Sequence, residues 1–213
     1  MSTDKIPENL KYILTLTAIC FITASLLSGV YLLTRSKILE QKAQQQGRAL
    51  KEVLPEAGYF QPVMREGKVI YFKAYMSSAK KKMVGYAFPA EAKGYSSTIE
   101  TMAGMDRQGR IIAIKILDHN ETPGLGAKIS EVLVTKTLWQ AIRELFSKKT
   151  QEQRISAEPW FCVQFKGKKL SDLIVVKTPT EKNIQAITGA TISSEALTDS
   201  VREKAKEVLQ YEQ

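Results

Sequence analysis

Thr188-Gly189-Ala190-Thr191-Ile192-Ser193-Ser194 is the stretch from which the rest of the chain can be read. A glycine among hydroxyls makes a turn that lets the backbone approach a ligand closely, and Ser193 or Ser194 is placed to cap the helix that follows. That helix carries Ala196, Leu197, Val201, Ala205, Val208 and Leu209 along one side. A helix N-terminus with free N–H groups suits a phosphate, although a capped turn is the commoner use of such a stretch. Only about twenty residues follow, too few for the βαβ unit that would make the glycine part of a dinucleotide fold.

Upstream, Tyr59 to Met64, Lys68 to Tyr75, Met83 to Phe88, Tyr95 to Met105 and Arg110 to Leu117 are β-rich runs broken by turn residues. Glu66-Gly67 and Asp106 to Gly109 read as hairpin turns, so the simplest construction is an antiparallel sheet. Arg110 to Ile116 is mostly apolar, as a strand covered on both faces is, and it leads into Glu121-Thr122-Pro123-Gly124-Leu125-Gly126. Proline and two glycines in four residues fix a tight turn and expose backbone N–H groups, and an ordinary strand-to-helix turn has the same composition. Further on, Leu138, Trp139, Ile142, Leu145 and Phe146 mark an amphipathic helix over Thr137 to Ser147. A polar link then leads to two more expected strands, Trp160 to Phe165 and Leu173 to Lys177, joined through Gly167.

Together, the Glu121 to Gly126 loop and the Thr188 to Thr191 turn resemble the covalent-FMN subunits of the Rnf and Nqr families, membrane-anchored subunits of redox-driven ion pumps. The resemblance covers most of the chain, and its length and single short anchor favour the Rnf-type G subunit over the Nqr-type C subunit. It implies an α+β fold: one N-terminal transmembrane helix, then an FMN-binding domain with a mainly antiparallel sheet and packed helices. It also implies an electron relay with FMN in phosphoester linkage to Thr191. Thr188, Gly189 and Ala190 would lie beside the cofactor, and Glu121, Thr122, Gly124, Leu125 and Gly126 would form a second wall, Glu121 more as a brace than as an acid. The family signature is an aspartate, two variable residues, Ser or Thr, then Gly-Ala-Thr; here Gln185 stands in the place of the acid. A threonine hydroxyl is a poor nucleophile without a base and a cation, so attachment calls for the family's separate flavin transferase, with FAD as donor.

The N-terminal part reads as an anchor. Tyr12 to Leu33 holds no charge over 22 residues, about 33 Å as a helix, which matches a bilayer's hydrocarbon core. A secretory signal would have a shorter apolar region and a small-x-small cleavage site, which is not found here. The expected organisation is a tail over 1–11, a transmembrane helix over 12–33, a helical stalk over 34–55 ended by Pro55, and the FMN-binding domain over 56–213. Ser25 and Gly29 are spaced for close approach of another helix, and several threonines add hydroxyls, which suits membrane-embedded partner subunits. Lys5 and Lys11 precede the span, whereas Arg35, Lys37, Lys42, Arg48 and Lys51 follow it, so a literal charge count leaves the domain in the cytoplasm. The resemblance implies the opposite: a single-pass protein of the bacterial inner membrane with its domain on the periplasmic side.

The remaining features narrow the function by exclusion. The net charge of +9 comes partly from Lys80 to Lys82, Lys148 and Lys149, and Lys166, Lys168 and Lys169. These clusters lie on separate expected loops, which speaks for solvated surface or an anionic partner and against nucleic acid. Cys20 lies in the span and Cys162 in an expected strand, leaving no disulfide framework or zinc site. His119 is the one histidine and reads as an exposed loop residue; no hydrolase or P-loop motif accompanies it. Two other readings stay open: a noncovalent flavin or lipid-binding protein, and a structural anchor subunit without cofactor.

Overall fold

The computed structural model describes residues 8–79, 82–132 and 158–212. The expected helix over 137–147 therefore lies outside the described residues. By contacts the chain divides into two compact units, Met1–Gln45 and Gln46–Gln213.

The first unit is helical. Helix α1, Glu8–Val53, supplies it and contributes its last residues to the second unit. A window of this helix has a mean hydropathy of 2.1 and no residue buried, so it is long and apolar enough to cross a membrane. Its threonines need no partner for their hydroxyls. Thr15 and Thr17 donate to Lys11 O and Ile13 O at 2.8 Å, and Thr34 donates to Val30 O at 2.8 Å. This back-bonding satisfies a polar group in an apolar setting within one helix, so the threonines do not themselves call for another helix.

The second unit is a five-stranded antiparallel meander, β1 Tyr59–Arg65, β2 Lys68–Tyr75, β3 Met83–Lys93, β4 Thr98–Asp106 and β5 Ile111–Asp118, in the order β1-β2-β3-β4-β5. Glu66 at φ 51° and Gly67 at φ 77° make the β1–β2 turn, both in the left-handed region that a tight hairpin uses. Each face of the sheet is covered. Leu197, Val201, Ala205 and Val208 of the C-terminal helix pack with Phe88, Ile99, Ala103, Met105 and Ile111 on one side. On the other side Ala49, Leu50, Val53 and Leu54, from the end of α1 and just after it, pack with Phe72, Ala74, Ala87 and Met102. The apolar character of β5 follows, since Ile111 and Ile114 serve the first core while Ile112, Ala113 and Leu117 adjoin the second. Gly104 permits the close approach of α1: a Cβ there would lie 2.6 Å from Val53 O.

After the sheet, two expectations are corrected. Trp160 to Phe165 is not a strand; Trp160–Val163 is a short helix, α2, that leads into a turn. Pro159 precedes it at φ −57°, and Phe161, Cys162 and Phe165 are buried at helical, not alternating, spacing. Cys162 is therefore a helix residue, with burial pushing its thiol up to about 12. Leu173 to Lys177 contributes only β6, Val175–Val176, which pairs in parallel with β7, Ile184–Gln185. The chain ends in helix α3, Thr191–Tyr211.

Candidate functional site

Three segments far apart in sequence meet at the N-terminal end of α3. The first is the β3–β4 turn, Gly94 to Ser97, closed by Gly94 N–H donating to Ser97 O at 2.8 Å. The second is the loop after β5, where Leu125 N–H and Ala127 N–H both donate to Thr122 O and Gly124 adopts φ 76°. The third is the turn into α3, where Ala190 N–H donates to Ile187 O and Gly189 takes φ 82°. A side chain at Gly189 would be strained at that φ and would press on Leu125, whose Cδ2 lies 3.2 Å from the position of a Cβ.

Glu121 joins the three. It is 4% exposed, and its carboxylate accepts hydrogen bonds from Ser193 Oγ at 2.6 Å, from Ser96 N–H and Ser97 N–H at 2.9 Å, and from Tyr95 N–H at 3.3 Å. Burial alone would push this carboxyl up; the bonds from Ser193 and the backbone of Ser97, Ser96 and Tyr95 outweigh it and hold the group below the usual carboxylate range. Room for the carboxylate is provided by glycine, because a Cβ on Gly126 would lie 2.3 Å from Glu121 Oε2. Ser97 Oγ accepts from Asn120 N–H at 2.8 Å, and Ser96 Oγ lies 3.0 Å from Thr122 Oγ1, so the turn and loop are laced on both sides of the acid.

The expected capping by Ser193 or Ser194 does not occur. Ala190 is the N-cap residue, without a side-chain cap, and both serines lie fully buried in the first turn. Ser193 turns inward to Glu121, while Ser194 Oγ donates to Ala190 O and accepts from Ile187 N–H. Ser193 takes a tertiary acceptor and Ser194 the carbonyl four residues back, in place of the cap. His119 also departs from expectation. It is half-buried, with Nε2 2.7 Å from Ser130 Oγ and Nδ1 accepting from Glu121 N–H at 3.3 Å. Ser130 Oγ in turn passes its own hydrogen to Ala127 O. The pair braces the loop; it is not a base facing a nucleophile.

A cleft of about 440 Å³ opens where these segments meet. Of the residues singled out in the sequence, Glu121, Thr122, Leu125, Gly126, Gly189, Ala190 and Thr191 line it. Gly124 and Thr188 are exposed and do not line it. Tyr95, Ile192 and Ser193 complete the wall; Ser193 is expected from the sequence only as a cap, and Tyr95 and Ile192 were missed. The signal for Tyr95 was Gly94-Tyr95-Ser96-Ser97, a turn composition read as the start of a strand, whereas β4 begins at Thr98. Gln185, in the place of the signature's acid, is held through its backbone: its N–H donates to Gln164 Oε1 at 2.7 Å and its carbonyl accepts from Gln164 Nε2 at 3.3 Å.

The chemistry of the wall fits a flavin mononucleotide. Tyr95, Leu125 and Ile192 are 73%, 47% and 53% exposed, large apolar side chains gathered at one opening and offering contact to a flat ring. Among the described residues no lysine or arginine lines the cleft. An anion there would rely on the first turn of α3, where helix geometry leaves the N–H groups of Thr191, Ile192 and Ser193 without intrahelical partners.

Comparison with known proteins agrees with this chemistry. An FMN-binding domain is matched over residues 94–206, and an RnfG N-terminal region over residues 8–53. Over 214 residues the chain is 33% identical to the G subunit of the proton-translocating ferredoxin:NAD(+) oxidoreductase complex of Clostridium ljungdahlii, covering 99% of this chain and 98% of that protein. It is 32% identical to the G subunit of the ion-translocating oxidoreductase complex of Methanosarcina acetivorans, covering 94% of each. Among solved structures, NqrC of Shewanella oneidensis aligns with 75% of this chain and 74% of its own, at 16% identity and a TM-score of 0.41. Matched along almost its whole length by these G subunits and by family models over residues 8–53 and 94–206, the chain belongs to the RnfG family.

Proposed function

We propose that the protein is the electron-relay subunit of a membrane-bound, redox-driven ion pump of Rnf type, carrying FMN through a phosphoester to Thr191. The relatives are named as subunits of ion-translocating oxidoreductase complexes, which supports a place among other membrane subunits. One observation carries the choice of residue. Of the hydroxyls around the Gly-Ala-Thr turn, Ser193 and Ser194 are fully buried and committed to hydrogen bonds, and Thr188 lies outside the cleft; Thr191 lines it and is half-buried.

In this reading the first-turn amides of α3 hold the phosphate, Tyr95, Leu125 and Ile192 flank the ring and exclude water from it, and Glu121 keeps the walls together. FMN, when bound, supplies one- and two-electron redox chemistry, while covalent attachment prevents its loss. The carboxylate that shares the cleft with Thr191, that of Glu121, is taken up by bonds from Ser193, Ser96 and Ser97, so a flavin transferase performs the attachment, and Gln185 slows it relative to an aspartate there. The domain lies on the periplasmic side of the inner membrane.

The test is expression with the transferase, followed by in-gel fluorescence after denaturation. The unsubstituted chain should fluoresce, Thr191→Ala should not, and Thr188→Ala should keep its signal. FMN mass on a Thr188 or Ser193 peptide overturns the assignment, and colour lost on denaturation points to noncovalent binding. Gln185→Asp should label faster. Protease added to spheroplasts should digest the region after Leu33, and full protection would place the domain in the cytoplasm.

A further inference from the structure

Resting on that reading, we propose that Glu121 is more than a brace: it is a fixed negative charge in the cleft wall that lowers the reduction potential of the flavin held there. Three observations carry it. Glu121 lines the cleft with Thr191, its carboxylate is buried, and the groups that donate to it are neutral: the hydroxyls of Ser193 and Ser97 and the backbone N–H groups of Tyr95, Ser96 and Ser97. Among the described residues no lysine, arginine or histidine forms an ion pair with it. Dipoles stabilise an ionised carboxylate without cancelling its charge, so the field persists in the cleft. Every bond to the group favours the ionised form, which keeps it charged at neutral pH.

An electron entering the ring adds negative charge beside this anion, in surroundings that screen it less than water does. The oxidised flavin is thereby favoured. A wall built only to hold a flavin could have used a neutral acceptor in this position, since the one oxygen of a glutamine can keep the two shorter backbone bonds, from Ser96 N–H and Ser97 N–H.

The experiment is spectroelectrochemical titration with dithionite of the flavin-loaded, purified protein at pH 7.5, with circular dichroism to confirm folding. Glu121→Gln should raise the one-electron equilibrium constant for reduction about tenfold, an upward shift of about 59 mV. Ser193→Ala keeps the charge and removes one dipole that screens it, so its potential should fall. Loosening of the cleft would instead move both variants the same way, and that result overturns the inference, as does an unshifted Glu121→Gln. Should Glu121→Gln not fold or load, Ser193→Ala decides alone: a lower potential supports the inference and an unchanged or higher one sinks it. A flavin-free unsubstituted protein would refute the proposed function, and this inference with it. A normally loaded protein with the wrong sign of shift refutes the inference only.

Discussion

Helix α3 is pinned at both ends by a glutamate, and the two ends are built on opposite principles. At the N-terminal end Glu121 is buried among neutral donors, and its charge is favoured by the positive end of the helix dipole. At the C-terminal end Glu212 sits at the negative end of that dipole, where an anion is disfavoured, and it is compensated by Lys73 Nζ at 2.8 Å. Tyr71 also donates to Glu212, and Tyr86 donates at 3.3 Å. For Glu212, too, burial would push the carboxyl up, and the bonds from Lys73 and Tyr71 outweigh it. Arg65 adds a bond to Tyr211 OH at 2.6 Å and lies over its ring. A site that must present a charge to a ligand dispenses with a cation, whereas a latch that only fastens a chain end uses one.

The largest expected difference between the ends is in truncation. Glu121→Ala leaves the fully buried Ser193 hydroxyl without its acceptor and unties the N–H groups of Tyr95, Ser96 and Ser97 from the helix, and should cost about 3 kcal/mol of stability and the retained flavin as well. Glu212→Ala frees Lys73, whose side chain is 29% exposed, to turn to water but leaves the Tyr71 and Tyr86 hydroxyls without this acceptor, and should cost about 1 to 2 kcal/mol, with flavin retained. Urea titration of both variants checks the pair; equal costs would erase the distinction.

pH sharpens the comparison next. Both carboxyls lie below their ordinary value, so each contributes stability that is present above a pKa of about 4.3 and is lost as pH falls through the lower folded value. Alkaline pH separates the ends. The hydrogen bond to Glu212 raises Lys73, and burial raises Tyr71 and Tyr86, so their contribution is complete below about pH 10 and is lost as pH rises through the folded values. Melting temperature should therefore fall above about pH 10, less steeply in Glu212→Gln and unchanged in slope in Glu121→Gln.

The smallest effect lies under the helix between its ends. Thr101, on the same face of β4 as Ile99 and Ala103, is 1% exposed and its Oγ1 has no hydrogen-bond partner among the described residues. Thr101→Val should stabilise the domain by about 1 kcal/mol in the same titrations, and a loss of stability would mean that this hydroxyl is satisfied in solution.

Much of this was legible in the chain because it depends on neighbours in sequence. The hairpin turns announced themselves at Glu66-Gly67 and Asp106 to Gly109, the apolar span by the absence of charge from Tyr12 to Leu33, and α3 by its period. The two glycine-containing motifs located most of the cleft. Where the structure departs from the local reading, another acceptor or the burial of aromatic side chains overrides the local preference. Ser193 and Ser194 have the composition of caps but found acceptors in Glu121 and the Ala190 carbonyl. Trp160 to Phe165 has strand-forming residues, yet Pro159 and the burial of Phe161 and Phe165 draw it into a helical turn.

The sequence by itself determined the element types over most of the described chain, the antiparallel order of β1 to β5, and the family. These follow from spacing, turn residues and signature, all of them local. Only the tertiary structure decided that the Gly94 to Ser97 turn closes the cleft and that Ser193 is spent on Glu121. A buried carboxylate has to find its donors wherever the fold brings them, and residues 95–97, 121 and 193 share no local pattern from which that meeting could be read.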